Sequence, residues 1–212
     1  AKIIDSKIYS NGNDGLYIDY NYESSIDILN CEIYENGDDG VYIYDSDVNF
    51  EFCKIYKNIA QGFEINDYCD PVEIYDCEIY ENNSYGIYSD YDNDVYVYRS
   101  FVHNNNGTGI YIEDDYTYYK IYKSIIAYNN GDGIYKRDPN MTIYIHYNTI
   151  YGNTADGIDM NNSTYEYIYD NIIVNNGQYG LRANTYIETF EYNNLFGNGS
   201  GEIYNLANVP IN

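Results

Sequence analysis

Apolar residues recur in short alternating runs along the whole chain, as in Val95-Tyr96-Val97-Tyr98 and Leu16-Tyr17-Ile18-Asp19, with polar turns between them. A period of two places successive side chains on opposite faces of a strand, whereas a helix would need apolar positions three and four apart. The runs are organised by a repeat. A glycine followed by an apolar residue occurs at Gly15, Gly40, Gly62, Gly86, Gly109, Gly133, Gly157 and Gly180, with a degenerate ninth at Gly201. Successive spacings lie between 21 and 25, a mean near 23 residues.

Three apolar anchors stand in each repeat. Twelve before the glycine are Ile3, Ile28, Phe50, Ile74, Val97, Ile121, Ile145 and Ile168, with Phe190 in a ninth repeat read as one residue shorter. Seven before it are Ile8, Ile33, Ile55, Ile79, Val102, Ile126, Ile150 and Ile173, with Leu195 in the ninth. Directly after it are Leu16, Val41, Phe63, Ile87, Ile110, Ile134, Ile158 and Leu181. Three short strands use up the repeat and leave no room for a crossover helix. The pattern predicts an all-β, parallel β-helix solenoid in one domain, about nine coils of ~23 residues with strands pairing to the coils above and below.

Two polar columns accompany the anchors. Four before the glycine are Asn11, Asn36, Asn58, Asn82, Asn105, Asn129, Asn153 and Asn176, placed to bond coil to coil and expected to take the left-handed turn conformation themselves. Nine before it are Ser6, Cys31, Cys53, Cys77, Ser100, Ser124, Asn148 and Asn171, an inward column that demands small residues. Cys31, Cys53, Cys77 and Cys69 have no zinc-ligand spacing and are expected as free buried thiols.

Through segments such as Ile33-Tyr34-Glu35-Asn36-Gly37-Asp38-Asp39-Gly40-Val41 and Ile126-Ala127-Tyr128-Asn129-Asn130-Gly131-Asp132-Gly133-Ile134, the chain resembles the right-handed parallel β-helix proteins of the pectate-lyase-like superfamily. The resemblance spans all nine repeats and implies right-handed coiling. It implies no single activity, because the superfamily holds lyases, epimerases, hydrolases, phage tailspikes and non-catalytic surface proteins.

Composition narrows the function. Acids number 34 against 10 bases, a formal net charge of −24, which repels nucleic acid and anionic membrane surfaces. No apolar run reaches a membrane span, so direct insertion in a membrane is not expected. The start has neither initiator Met nor signal peptide, and residues 205–212 look broken off, which points to a segment of a longer chain or to protomers stacked end to end. Asn-x-Ser/Thr triplets at Asn82, Asn106, Asn140, Asn161, Asn162 and Asn198 permit glycosylation in an extracellular or cell-surface setting.

There are 33 Tyr and no Trp. Outward columns hold Tyr9, Tyr34, Tyr56 and Tyr80, and Tyr17, Tyr42, Tyr88, Tyr111 and Tyr135. Stacked phenols stabilise a thin solenoid, and they also offer flat faces to a glycan or a second protomer. Carboxylates crowd the turn after the third strand, where Asp90, Asp92, Asp94, Asp114 and Asp115 form an oxygen-only set suited to Ca²⁺; a solvated acidic edge is the other reading. A lyase needs a basic residue beside such carboxylates, and Arg137, near Asp90 and Glu113, is read as the only arginine so placed. His103 and His146 form no catalytic pair. With no catalytic residue assigned, the first expectation is a non-catalytic extracellular module that self-associates in a fibre or filament. The alternative is a polysaccharide-binding or polysaccharide-degrading module.

Overall fold

The computed structural model describes residues 1–113, 118–137, 141–161, 165–184 and 186–205, with the side chains of 22–24 and 205 excepted. Among these there is no helix; the strands are parallel and coil into a three-faced solenoid. The first face runs from Lys2–Ile4 through Val95–Tyr98 to Thr189–Glu191, and the second, nine-stranded, from Lys7–Tyr9 to Asn194–Phe196. The third runs from the start of Leu16–Leu29 to Gly201–Asn205. Leu16–Leu29 and Val41–Glu51 are continuous through the turn between the third and first faces, so there two strands merge into one instead of remaining short. That merger joins the first and third faces into a single 16-stranded sheet.

All three apolar anchor columns stack in register. Ile3 pairs with Ile28, Ile8 with Ile33 and Leu16 with Val41, and each column continues coil by coil. From the second coil onward most anchors are fully excluded from water, including Ile28, Ile55, Ile87, Ile126 and Ile150. The ninth repeat differs from the sequence reading: Leu181 pairs with Ile203, so Glu202 takes the glycine position and the repeat is of normal length. Asn193 and Asn198 thereby become ninth members of the two polar columns, accepting from Asn171 and Asn176. Glu202 also closes the asparagine ladder, its carboxylate accepting from Gly197 N–H at 3.0 Å and Asn198 Nδ2 at 2.6 Å.

The asparagines are not the left-handed residues. The residue before each one is: Ser10, Glu35, Lys57, Glu81, Asn104, Tyr128 and Asn175 have φ of 54–57°, and Gly152 and Gly197 fill the same corner. A second left-handed corner precedes the small column, at Asp5, Asn30, Phe52, Asp76, Arg99, Lys123, Tyr147, Asp170 and Tyr192. Each corner turns the chain sharply and aims the next side chain inward. There the Asn amide accepts from the preceding rung's backbone N–H and amide and donates to the following rung, at 2.9–3.2 Å from Asn36 to Asn58. The turn strain is thus carried by whatever residue comes first, and the Asn supplies the hydrogen bonds that make it tolerable.

The four cysteines are buried free thiols, with Cys31, Cys53 and Cys77 stacked in the small column. Asn82 and Asn198 are buried ladder members, which removes both as glycosylation acceptors. One core feature escapes the pattern: Lys136 and Glu166 occupy inward positions and pair across the interior at 2.8 Å, both side chains 0% exposed. Such a pair needs its partner, since either charge alone would be stranded in apolar surroundings.

Candidate functional site

The outward column two after the glycine builds the third face. In register it reads Tyr17, Tyr42, Glu64, Tyr88, Tyr111, Tyr135, Asp159, Arg182 and Tyr204. Tyr17 stacks on Tyr42 at 4.9 Å, and Tyr111 lies 5.6 Å from Tyr88 and 4.8 Å from Tyr135. The predicted aromatic column is therefore present, interrupted by Glu64, and it leads along the axis to a charged pair. Tyr9, Tyr34, Tyr56 and Tyr80 also stack, at 4.8–5.0 Å, with His103 continuing the row. That second-face row runs beside alternating charges, Lys7 with Glu32 at 3.0 Å and Lys54 with Glu78 at 3.1 Å. Those partners leave it little free polar chemistry.

Asp132 and Asp156 stand immediately before glycines of successive coils, where the acid oxygen meets the next coil's backbone. Asp156 N–H donates to Asp132 Oδ1 at 2.8 Å and Tyr179 N–H to Asp156 Oδ1 at 2.7 Å. Asp159 joins them from the strand, and the three carboxylates present oxygens within 4.8 Å of one another. Arg182 closes one side: its Nε donates to Asp156 Oδ2 at 2.6 Å, lies 3.6 Å from Asp159 Oδ2, and its guanidinium sits over the Tyr179 and Tyr204 rings. Asp159 Oδ1 is sealed from water with no hydrogen-bond partner.

Burial, reinforced by the charges of Asp132 and Asp156 and opposed by Arg182, pushes the Asp159 carboxyl up to about 7. Burial raises Asp132 to about 6. A related cluster lies at the other end of the same face, where Asp14, Asp38 and Asp39 converge. Asp39 is pushed to about 8, chiefly by burial and then by its hydrogen bond with Glu64. These acids hold protons in the folded chain that the unfolded chain would release, so their contribution is full at about pH 4 and is lost as pH rises through 6 to 8. Thermal stability is expected to increase as pH falls from about 8 to 5, with a smaller gain in Asp159→Asn. Scanning calorimetry across that range checks it, and an unchanged pH slope in the variant would remove Asp159 as a contributor.

Of the five predicted Ca²⁺ residues the structure describes three. Asp114 and Asp115 lie outside the described residues. Asp90 accepts from Tyr88 OH, Asp92 occupies a left-handed turn at φ 44°, and Asp94 accepts from Tyr118 N–H. Among the described residues, three-carboxylate groups form at Asp14, Asp38 and Asp39 and at Asp132, Asp156 and Asp159. Both are hard oxygen sets, and the unpartnered Asp159 Oδ1 fits an oxygen-seeking divalent cation such as Ca²⁺. Arg137 does contact Glu113, as expected, but Arg182 corrects the reading that no other arginine adjoins carboxylates. The signal was available: Asp159 and Arg182 each stand two after their glycines, so they are neighbours in one column.

The chain is similar in structure to a periplasmic alginate epimerase, AlgG, with TM-score 0.73 and 20% identity over 86% of this chain and 48% of that one. It is similar also to the A-module of the Azotobacter vinelandii mannuronan C-5 epimerase AlgE6, with TM-score 0.67 and 16% identity over 99% and 58%. The pectate lyase Pel9A matches at TM-score 0.60 and 16% identity over 91% and 58%. The chain thus spans about half the length of these structures. No curated protein matches it in sequence. The family described as right handed beta helix region matches residues 1–135 and 65–210. With two overlapping matches running through coils already seen to stack in register, the chain belongs to the right-handed β-helix family.

Proposed function

We propose that the protein binds a polysaccharide along its third face and transfers a proton at Asp159. One observation carries this: the Tyr88, Tyr111, Tyr135 row runs in register into the half-buried Asp159 carboxyl, one oxygen of which faces Arg182 while the other is sealed and unpartnered, and whose pKa is pushed up to about 7. Tyrosine faces hold sugar rings, and the coil spacing of about 4.8 Å is close to the length of one pyranose unit. A carboxyl that titrates near pH 7 both accepts and returns a proton efficiently.

The named activities of the similar structures, C-5 epimerisation of mannuronan and lysis of pectate, support a uronate polymer as substrate. In either chemistry a base removes the proton on the carbon next to the sugar carboxylate; lysis then expels the 4-linked glycosidic oxygen, which takes up a proton, and epimerisation takes a new proton from water on the opposite face of the ring. Ionised Asp159 would serve as that base, and the Arg182 guanidinium, 3.6 Å from its Oδ2, would stabilise negative charge developing on the sugar. A divalent cation held by Asp132 and Asp156 would supply further positive charge toward an anionic sugar. Asp156 in its turn orients Arg182 through the 2.6 Å bond.

Incubation with polymannuronate and polygalacturonate in Ca²⁺, followed by proton NMR for the epimer and ultraviolet absorbance for the unsaturated end, tests the proposal. Turnover of one polymer is expected, reduced about 100-fold or more in Asp159→Asn, the scale of a lost acid–base group. Turnover unaffected by that substitution, or neither turnover nor retention on any polymer, overturns it.

A further inference from the structure

A basic and aromatic patch on the first face has no part in the Asp159 site. We propose that Lys120, Lys123 and His146 form a separate, non-catalytic subsite for an anionic saccharide. The proposal stands independently of the third-face reading.

Basic residues are few, and nearly all are neutralised. Lys2, Lys7, Lys54, Lys57 and Lys136, and Arg99, Arg137 and Arg182, each have a carboxylate at ion-pair distance. Among the described residues Lys120 and Lys123 have none. In a chain with 34 acids, two neighbouring lysines without a carboxylate partner among the described residues are a local exception. Their ammonium groups lie instead over tyrosine rings, Lys123 at 4.7 Å from the Tyr122 centroid and Lys120 at 6.0 Å from that of Tyr98. Such contacts leave the ammonium hydrogens free for an anion.

His146 supplies the second, independent observation. It sits in register between Tyr122 and Tyr169, its ring 4.6 Å from one and 4.7 Å from the other. It is 8% exposed, and both ring nitrogens are sealed with no hydrogen-bond partner. Burial first, then Lys120 and Lys123, hold its pKa below the ordinary value, with Asp170 opposing them. A neutral imidazole carries one donor and one acceptor, and leaving either buried and unpaired is costly. The adjacent places in this row hold tyrosine, which would keep its hydroxyl in water. Tyr147, 52% exposed and 5.5 Å from the imidazole, is the ring that would have to move for an anion to reach the imidazole nitrogens.

An anionic group seated between the two ammoniums would accept from both and from the imidazole N–H. Tyr144, stacked on Tyr167 at 4.6 Å, offers a flat face for the attached sugar ring. The net charge of −24 disfavours a dense phosphate polymer. A glycan with one charge per sugar suits two lysines on an aromatic platform. Carboxylate and sulfate ester share the required chemistry.

Native affinity electrophoresis in gels containing polygalacturonate, dextran sulfate or neutral dextran tests this, together with NMR of the imidazole signals, for which His103 is the internal control. Retention by one or both acidic polymers is expected to persist in a Tyr111→Ala background, where third-face binding is weakened, and to be at least tenfold weaker there when Lys120→Gln/Lys123→Gln are added. The His146 signals should move while those of His103 stay. Preference for polygalacturonate supports the site with a carboxylate ligand, preference for dextran sulfate with a sulfate ester. Equal retention in neutral dextran, retention indifferent to the lysine substitutions, or a fixed His146 signal overturns the proposal. Loss of polymer turnover in Asp159→Asn with this retention intact separates the two sites.

Discussion

Gly109→Ala is expected to lower stability by about 3 kcal/mol, the upper part of the range for overpacking a dense interior. The added methyl would lie 2.7 Å from the carbonyl oxygen of Gly133, 2.7 Å from Ile126 Cγ2 and 2.8 Å from Asn129 Nδ2. None of these can yield cheaply: the first is backbone of the next coil, and the others are locked into the anchor and ladder columns. Backbone conformation is not the cause, because Gly109 has no positive φ. The glycine is required by close approach of coils, and the same environment recurs at Gly40, Gly86 and Gly133. A urea melt checks the magnitude. A midpoint unchanged from the parent would mean that the coils can separate locally at little cost.

Asn129→Ala is expected to cost about 3–5 kcal/mol, since each buried polar group left unpaired loses about 1–3 kcal/mol. The Asn129 carbonyl accepts from Asn105 N–H at 3.1 Å and Asn105 Nδ2 at 3.0 Å, and its amide donates to Val102 O at 3.1 Å and Asn153 Oδ1 at 3.0 Å. Alanine strands the two Asn105 donors and the Val102 carbonyl. Asn153 Oδ1 keeps the backbone N–H of residue 129 and suffers least. Because a solenoid is stabilised by nearest-neighbour contacts, the loss should appear first in the flanking rungs. Hydrogen exchange should rise around Asn105 and Asn153 before it rises near Ile33 or Ile55. Uniform acceleration along the chain would contradict that locality.

The corner residues show where sequence reading reaches its limit. The Asn column was legible because its amides repeat at a fixed distance from the glycine. The left-handed residue beside it was not, because Ser10, Glu35, Lys57 and Tyr128 share no side-chain property. The corner constrains only their backbone, and composition carries no record of that. Lys136 and Glu166 were missed for a related reason. Thirty residues separate them, and only the closing of the coil brings a residue of the third face against one of the first across the interior.

The candidate sites divide the same way. Tyr88, Tyr111 and Tyr135 were readable as a column, since period two and the repeat length together assign both face and register. Asp159 and Arg182 lie in that column too, and identical offsets from their glycines make them neighbours. What the offsets could not show is that Asp132 and Asp156, from the preceding turn, tilt toward the strand residue and leave one Asp159 oxygen sealed and unpaired. The crowding of Asp90, Asp92, Asp94, Asp114 and Asp115 after the third strand was legible as a count of acids. Count alone says nothing of side-chain direction.

By itself the sequence determined the solenoid, its coil length, the three anchor columns, the two polar ladders and the buried thiols. Those follow from strand alternation and a repeat of near-constant length, both of which are local and additive along the chain. Only the tertiary structure decided which acids share a site, that Glu202 ends the asparagine ladder, and that His146 is sealed without a partner. Each of these depends on distances and burial between residues more than one coil apart or in different turns, where the direction of a side chain, set by packing, decides what it meets.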